Sequence, residues 1–328
     1  MKKILLATTA MVAFAGAASA EVALSGYAEI GIFGGSEIET QFWNDIDVKF
    51  TLSGETDSGL TFGATIDLDE LNGDSIDATG GGEARILSGE NDSSVFVSGA
   101  FGKVTLGDTD GAFDWAMIEM STLTTLADDH TTHVGFNTNS GFNTNSGFNT
   151  NSGLDGIYDG QVARYEYAFG DFAVAVSAEL DDTDTPASGD AAMGLGLAWS
   201  GDLGGSAVKA GFGYQSNGDF DVVGVSAMAT MAQGFRAGAT YAQFDGPLAG
   251  DDGDHMGVML GYATGALSME VNYGKFTPDV GADQDGFGLA VNYDLGGGAV
   301  VMAGFGSDVD ADTAGDQNQF SVGLGLSF

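Results

Sequence analysis

The feature that most restricts this chain is alternation with a period of two, sustained in short segments over almost its whole length. Val22, Leu24, Ala28, Ile30 and Ile32 share one parity, with Ser25, Tyr27 and Glu29 on the other. Ile46, Val48, Phe50 and Leu52 alternate with Asp47, Lys49, Thr51 and Ser53. Leu60, Phe62, Ala64, Ile66 and Leu68 alternate with Thr61, Gly63, Thr65, Asp67 and Asp69. Successive side chains of a strand point to opposite faces, so the pattern predicts strands with one apolar and one polar face. Further strands are expected near 94–100, 103–108, 162–169, 172–180, 191–199, 206–215 and 221–230, then 235–243, 255–262, 267–276, 286–294, 299–305 and 319–328. That makes sixteen in an all-β chain.

The connections alternate in length. Gly170-Asp171, Ser200 to Gly205, Met231 to Gly234 and Ala263 to Ala266 are tight, whereas 70–93, 181–190, 244–254, 277–285 and 306–318 are longer and acidic. Short turns at one end and long loops at the other describe an up-and-down antiparallel meander. An even-stranded meander can close on itself and lose its edges. One connection breaks the rhythm, running from Thr109 to Gln161. It far exceeds the ~12–15 residues at which an irregular connection becomes uncommon, so it is expected to be functional or disordered. Within it stand three tandem copies of Gly-Phe-Asn-Thr-Asn-Ser, at 135–140, 141–146 and 147–152. A spacer expanded by duplication is one reading, and a polar ladder with stacked Phe side chains is the other.

A closed sheet can turn its apolar face inward, as in soluble barrels, or outward to lipid. Several features favour the outward sense. Met1-Lys2-Lys3, the apolar run from Ile4 to Ala15 and Ala18-Ser19-Ala20 form a signal peptide over 1–20, leaving 21–328 as the exported chain. Strands near ten residues suit a tilted membrane crossing. Aromatic residues gather near strand ends (Phe169, Phe172, Tyr214, Phe235, Tyr241, Tyr262), as interfacial girdles require. Lys49, Asp67, Arg164, Glu166, Lys209, Arg236 and Glu270 all fall on the polar parity. Lys275 has the other parity but sits at a strand end, where it can snorkel. Small residues on the polar face, such as Gly211, Gly213, Gly323 and Gly325, fit a soluble surface poorly.

Composition excludes several functions. No cysteine is present, which removes disulfides, thiolate metal sites and cysteine nucleophiles. The formal net charge is −38, and two of the nine Lys+Arg lie in the leader, leaving seven against 47 Asp+Glu. A surface this acidic disfavours nucleic acid and attracts cations. No G-x-S-x-G elbow, H-E-x-x-H pair or G-x-x-x-x-G-K loop occurs, so no enzyme is expected.

The start Glu21-Val22-Ala23-Leu24-Ser25-Gly26-Tyr27-Ala28, the hairpin from Leu52 to Ala64, the segment Val95 to Asp108 and Tyr293-Asp294-Leu295-Gly296-Gly297-Gly298-Ala299 carry a resemblance, as does a last strand ending in Phe328. The chain resembles the Gram-negative general porins, most closely the alphaproteobacterial type typified by Rhodobacter. The resemblance implies a sixteen-stranded transmembrane barrel in the outer membrane, set in lipid and lipopolysaccharide and assembled as a homotrimer. It implies diffusion of ions and small hydrophilic solutes, and no required cofactor. It also implies that 109–161, following the fifth strand, folds into the lumen as the constriction loop. Lys49 and Arg164 would belong to a basic wall cluster, with Lys209 and Arg236 farther round. The Pro-Glu-Phe-Gly-like signature of many such loops is absent.

The expected pore wall is therefore Lys49, Asp67, Asp69, Arg164, Glu166, Lys209 and Arg236. The loop contributes Asp110, Asp114, Glu119, Asp128 and Asp129, then His130 and His133. Carboxylates facing one another across a narrow pore concentrate cations, so a cation-selective channel is expected. A plugged surface barrel with a structural or adhesive role is the alternative. His130 and His133, beside Asp128 and Asp129, are a weak hint of a transition metal. Asp308, Asp310 and Asp312 offer oxygen ligands for calcium, as do Asp251, Asp252 and Asp254, although neither run completes an EF-hand.

Overall fold

The structure, a computed structural model, describes residues 21–36, 38–69, 93–136, 153–155, 157–158, 161–180, 191–247, 252–308 and 317–328. The leader, residues 137–152 of the repeats, and Asp251, Asp310 and Asp312 lie outside the described residues.

The first eight strands are β1 (Glu21–Gly35), β2 (Gln41–Glu55), β3 (Thr61–Asp69), β4 (Ser93–Gly99), β5 (Gly102–Asp108), β6 (Gln161–Phe169), β7 (Phe172–Glu179) and β8 (Ala192–Leu203). The second eight are β9 (Ser206–Ser216), β10 (Asp221–Thr230), β11 (Phe235–Asp245), β12 (Gly253–Thr264), β13 (Leu267–Pro278), β14 (Gln284–Gly296), β15 (Ala299–Ser307) and β16 (Asn318–Ser327). Every strand pairs antiparallel with its sequence neighbours. β16 returns to pair with β1, Tyr27 opposite Ser327 and Gly35 opposite Gln319, so the sheet is a closed barrel. Several strands run longer than alternation suggests. β8 continues through Leu203, which narrows the expected Ser200–Gly205 connection to Gly204-Gly205. Both of those glycines have positive φ, the conformation a tight turn demands and Cβ disfavours.

The apolar parity faces outward. Phe42 is 92% exposed and Leu260 63%, and Val22, Leu24, Leu195, Val225 and Leu289 are also exposed on the same side of the wall. An apolar band around a closed barrel is stable only against hydrocarbon. β13, with 12 residues, spans roughly 28 Å at a rise of ~3.3 Å and a tilt of ~45°, enough for that band. Its rims carry ring pairs: Phe169 stacks on Phe172 at 5.9 Å and Phe235 meets Tyr262 at 4.6 Å near the short turns. At the opposite rim Tyr214 and Tyr273 donate to Asp221 and Asp285. Lys275, the parity exception, also sits at that rim and pairs with Asp283.

The packed core is inside the barrel. Phe113, Met117, Leu154, Val222, Ala242, Phe244 and Phe276 form one buried cluster, and Met120, Phe136 and Met259 a second. Val222, Phe244, Met259 and Phe276 stand on the parity expected to be polar. They are apolar because a segment of the chain lies on them instead of water.

Candidate functional site

That segment is the connection between β5 and β6. It opens with a five-residue helix, α1 (Ala112–Ala116), and makes a 3-10 turn over Leu126–Asp128. Its contacts reach Ser177 on β7, Ser226 on β10, Glu270 on β13 and Glu29 on β1. Only a loop within a closed barrel can touch walls so far apart, so it lies across the lumen. The wall makes room by omitting side chains. The carbonyl oxygens of Ala112, Ala116, Gly135 and His130 sit where a Cβ on Gly196, Gly211, Gly274 and Gly288 would be. Backbone approach this close requires glycine. The small residues on the polar face are the seat of the loop.

Hydrogen bonds fix what packing begins. Ala112 N–H donates to Ser177 Oγ (2.8 Å), Ile118 N–H to Ser226 Oγ (2.9 Å) and Thr122 N–H to Glu270 Oε1 (2.8 Å). Leu154 N–H donates to Gln215 Oε1 (2.8 Å), and Asn292 Nδ2 donates to Thr124 O (3.0 Å). A buried backbone group left without a partner costs about 1–3 kcal/mol, so these wall side chains replace water for an irregular segment. All three histidines of the chain are buried in this contact. His133 Nε2 lies 2.9 Å from Asn272 Oδ1, His255 Nε2 donates to Gly135 O (2.9 Å), and His130 bridges Ser121 and Thr125 (both 2.9 Å). Burial pushes His130 and His133 down to about 4, so both rings are neutral at pH 7. They anchor the loop, and among the described residues no group of acids and histidines is placed to hold a metal. Phe136, from the first repeat copy, packs against His133 (4.5 Å between rings) and is 3% exposed. Gly135 and Phe136, the first two residues of the first copy, therefore belong to the anchored part of the loop.

The loop leaves the wall from β2 to β5 uncovered. Between the loop and β2–β5 lies a cavity of about 490 Å³, lined by Asp47, Lys49, Thr65, Asp67, Ser94, Asp108, Thr109 and Asp110. Lys49 and Asp67 face each other across the β2–β3 pair, at 2.7 Å. Arg164 is buried at the edge, where its guanidinium donates to Asp110 O and lies 3.8 Å from the Asp110 carboxylate. Glu166 forms ion pairs with both neighbours, its carboxylate lying 3.4 Å from Arg164 Nε and 3.5 Å from Lys103 Nζ. Four aspartates thus face one ammonium in the cavity, with Arg164 turned partly toward the backbone.

The expected residues separate into groups. Lys49, Asp67, Asp110, Arg164 and Glu166 gather at this opening, and Asp69 pairs in backbone register with Asp47. Arg236 lies elsewhere, 3.9 Å from Glu270, and Lys209 projects into the lumen on the far side of α1. Asp114 does not act as a standing negative charge. Burial, with Asp110 and Asp155 close by, pushes it up to about 8, so it is largely protonated at pH 7. Asp129 is buried against Thr125 and rises to about 6. Glu119 and Asp128 open onto the lumen, yet the surrounding wall desolvates them and both rise. Asp308 serves through its backbone, its carbonyl accepting from Val134 N–H at 2.8 Å. Sequence reasoning missed Asp47, Asp155, Asn272 and His255 as working residues. Asp47 was readable as the i−2 neighbour of Lys49 on the polar parity; the other three owe their roles to partners distant in sequence.

A barrel with an apolar exterior and a loop narrowing a charged interior defines a membrane channel of the outer-membrane kind. Residues 7–325 match the model of the Gram-negative porin family. The chain belongs to that family, and its place is the outer membrane of a Gram-negative bacterium. It is 29% identical to a porin of Rhodobacter capsulatus over 316 residues, 94% of this chain and 89% of that one. Among solved structures, a porin refined at 1.8 Å superposes with a TM-score of 0.68 at 25% identity, covering 94% of this chain and all of the other. An anion-selective porin from Comamonas acidovorans shares the fold at 16% identity, with a TM-score of 0.64 and the same coverage.

Proposed function

We propose that this porin is a cation-preferring diffusion channel for ions and small hydrophilic solutes. The observation that carries this is the uncovered sector, where Asp47, Asp67, Asp108 and Asp110 line one cavity against Lys49, itself paired. A barrel of this shape also serves a protein described as anion-selective, so the sign of selectivity must come from the lining and not from the strands. Fixed carboxylates in a confined aqueous path raise the local cation concentration. The test is the reversal potential of purified protein in a planar bilayer under a potassium chloride gradient. A potential of the sign for cation permeation is expected, and a zero or anion-signed one overturns the reading. The contrasting reading, a plugged surface barrel, predicts liposomes that do not swell in small sugars.

We also propose a homotrimer. β5 has 7 residues, which at ~3.3 Å rise and ~45° tilt cover only about 16 Å of a ~25 Å apolar band. A second copy standing against β5 would shield the wall where it is low. Native mass spectrometry from detergent tests this, and monomers alone would refute it.

A further inference from the structure

A second cavity, of about 570 Å³, lies on the other side of α1, toward the short turns, apart from the charged opening beside β2 to β5. Its floor is apolar although the loop does not cover it. Ala168, Ala173 and Ala198 stand in register on three adjacent strands, β6 to β8, and present three methyl groups where a water-filled wall ordinarily carries polar side chains. Trp115 and Ile118 from the loop and Met228 from β10 add apolar side chains to an open space that Ser121, Thr122 and Ser200 also line. Charges of both signs are added to it. Lys209, on the inward parity of β9, Glu119, from the loop, and Asp171, from the turn between β6 and β7, line the same space.

Lys209 is distinctive. Among the described residues Lys49, Lys103, Arg164, Arg236 and Lys275 all pair with carboxylates, and Lys209 is the one cation that does not. In a chain this acidic, an ammonium kept in the lumen without a carboxylate partner is available to an incoming anionic group. An aromatic surface, an open ammonium and a carboxylate around one cavity match a solute with an apolar ring and both charges.

We propose that this cavity is a solute subsite for zwitterionic amino acids with aromatic side chains. The ring lies on Trp115 and the alanine floor, the solute carboxylate meets Lys209 and its ammonium meets Glu119. A net-neutral solute also crosses the acidic opening beside β2 to β5 without the penalty an anion meets there. The proposal rests on the channel reading only for its route of entry, since binding itself does not require conduction.

The test has two arms. In detergent, saturation-transfer NMR with L-phenylalanine should show saturable contact of the ring protons, while glycine shows none. Trp115→Ala should abolish that contact. Lys209→Met should weaken phenylalanine and 3-phenylpropionate about tenfold while sparing phenethylamine, and Glu119→Gln should do the reverse. In single-channel records, phenylalanine should add brief current interruptions that glycine does not, and Trp115→Ala should remove them. Absent NMR contact, or contact indifferent to Trp115→Ala, overturns the subsite whatever the current does. NMR contact with silent bilayers leaves the subsite standing and counts against the channel reading instead.

Discussion

The inner wall of this barrel is two different surfaces. From β7 round to β16 and on to β1 it is built largely of glycine, serine, amide and apolar side chains, with Glu29 and Glu270 as charged anchors, and the loop lies on most of it. From β2 to β5 it carries Asp47, Lys49, Asp67 and Asp108, and the loop leaves it open. The covered sector is selected for close approach and matched hydrogen bonds, the bare sector for charge. A porin wall is thus partly a protein interior and partly an electrode. Mutations should behave as core mutations on one side and as conductance mutations on the other.

The largest effect should come from filling the seat. Gly211→Leu places a side chain where the Ala116 carbonyl rests, and overpacking of this kind costs about 1–3 kcal/mol even with relaxation. The loop should leave the wall, with a wider single-channel conductance and new protease cleavage between 112 and 136. Unchanged conductance would mean that the loop does not limit the pore.

Next in size is the bare sector. Asp67→Asn and Asp110→Asn each remove one charge, worth ~0.5 kcal/mol at ~8 Å in water-like surroundings, or about twofold in cation preference. The double variant should drive the reversal potential toward zero without altering thermal stability. A stability loss comparable to that of Gly211→Leu would erase the distinction between the two surfaces.

Acidity should separate the surfaces in opposite directions. The folded pKa values of His130 and His133 are lowered, so the stability they lend is present above the ordinary histidine value near 6.5 and is lost as pH falls toward about 4. The loop should loosen across that window, seen as faster proteolysis at pH 4.5 than at pH 7. Asp114 is raised to about 8, so its contribution is full at acid pH and is lost as pH rises toward that value. Its ionisation adds a negative charge beside Asp110, and cation preference should increase from pH 7 to pH 9. Asp114→Asn should abolish that increase and leave the acid loosening intact.

The smallest effect concerns the backbone of the turn that touches β1. Ala127 has φ 53, a left-handed conformation that a Cβ disfavours. Its N–H is held by Glu29 at 3.3 Å. Ala127→Gly should stabilise the fold by no more than about 1 kcal/mol, read as a small rise in melting temperature.

The strands were legible because period-two alternation is local. Lys49 opposite Asp67 follows from two polar parities and one short hairpin. The same locality explains what was not legible. α1, with five residues, is too short to show a helical period, and its seat is assembled from glycines spread across several strands. Gly211 and Gly213 stood out as odd on a polar face, but nothing nearby in sequence says what lies over them. Phe276 breaks the parity rule because Leu154 and Phe113, well over a hundred residues upstream, shield it from water. Asp114 reads as one more acid until tertiary burial neutralises it.

The pairing of β1 with β16 also governs when this molecule can exist as a barrel at all. The first strand made must wait for the last, because only β16 satisfies its open hydrogen-bonding side. Until then the nascent ribbon has two free margins and a greasy outer surface, a state prone to sticking to its neighbours. Biogenesis is consequently all-or-none, and a product lacking its last hairpin should be cleared by proteases instead of persisting as a leaky pore.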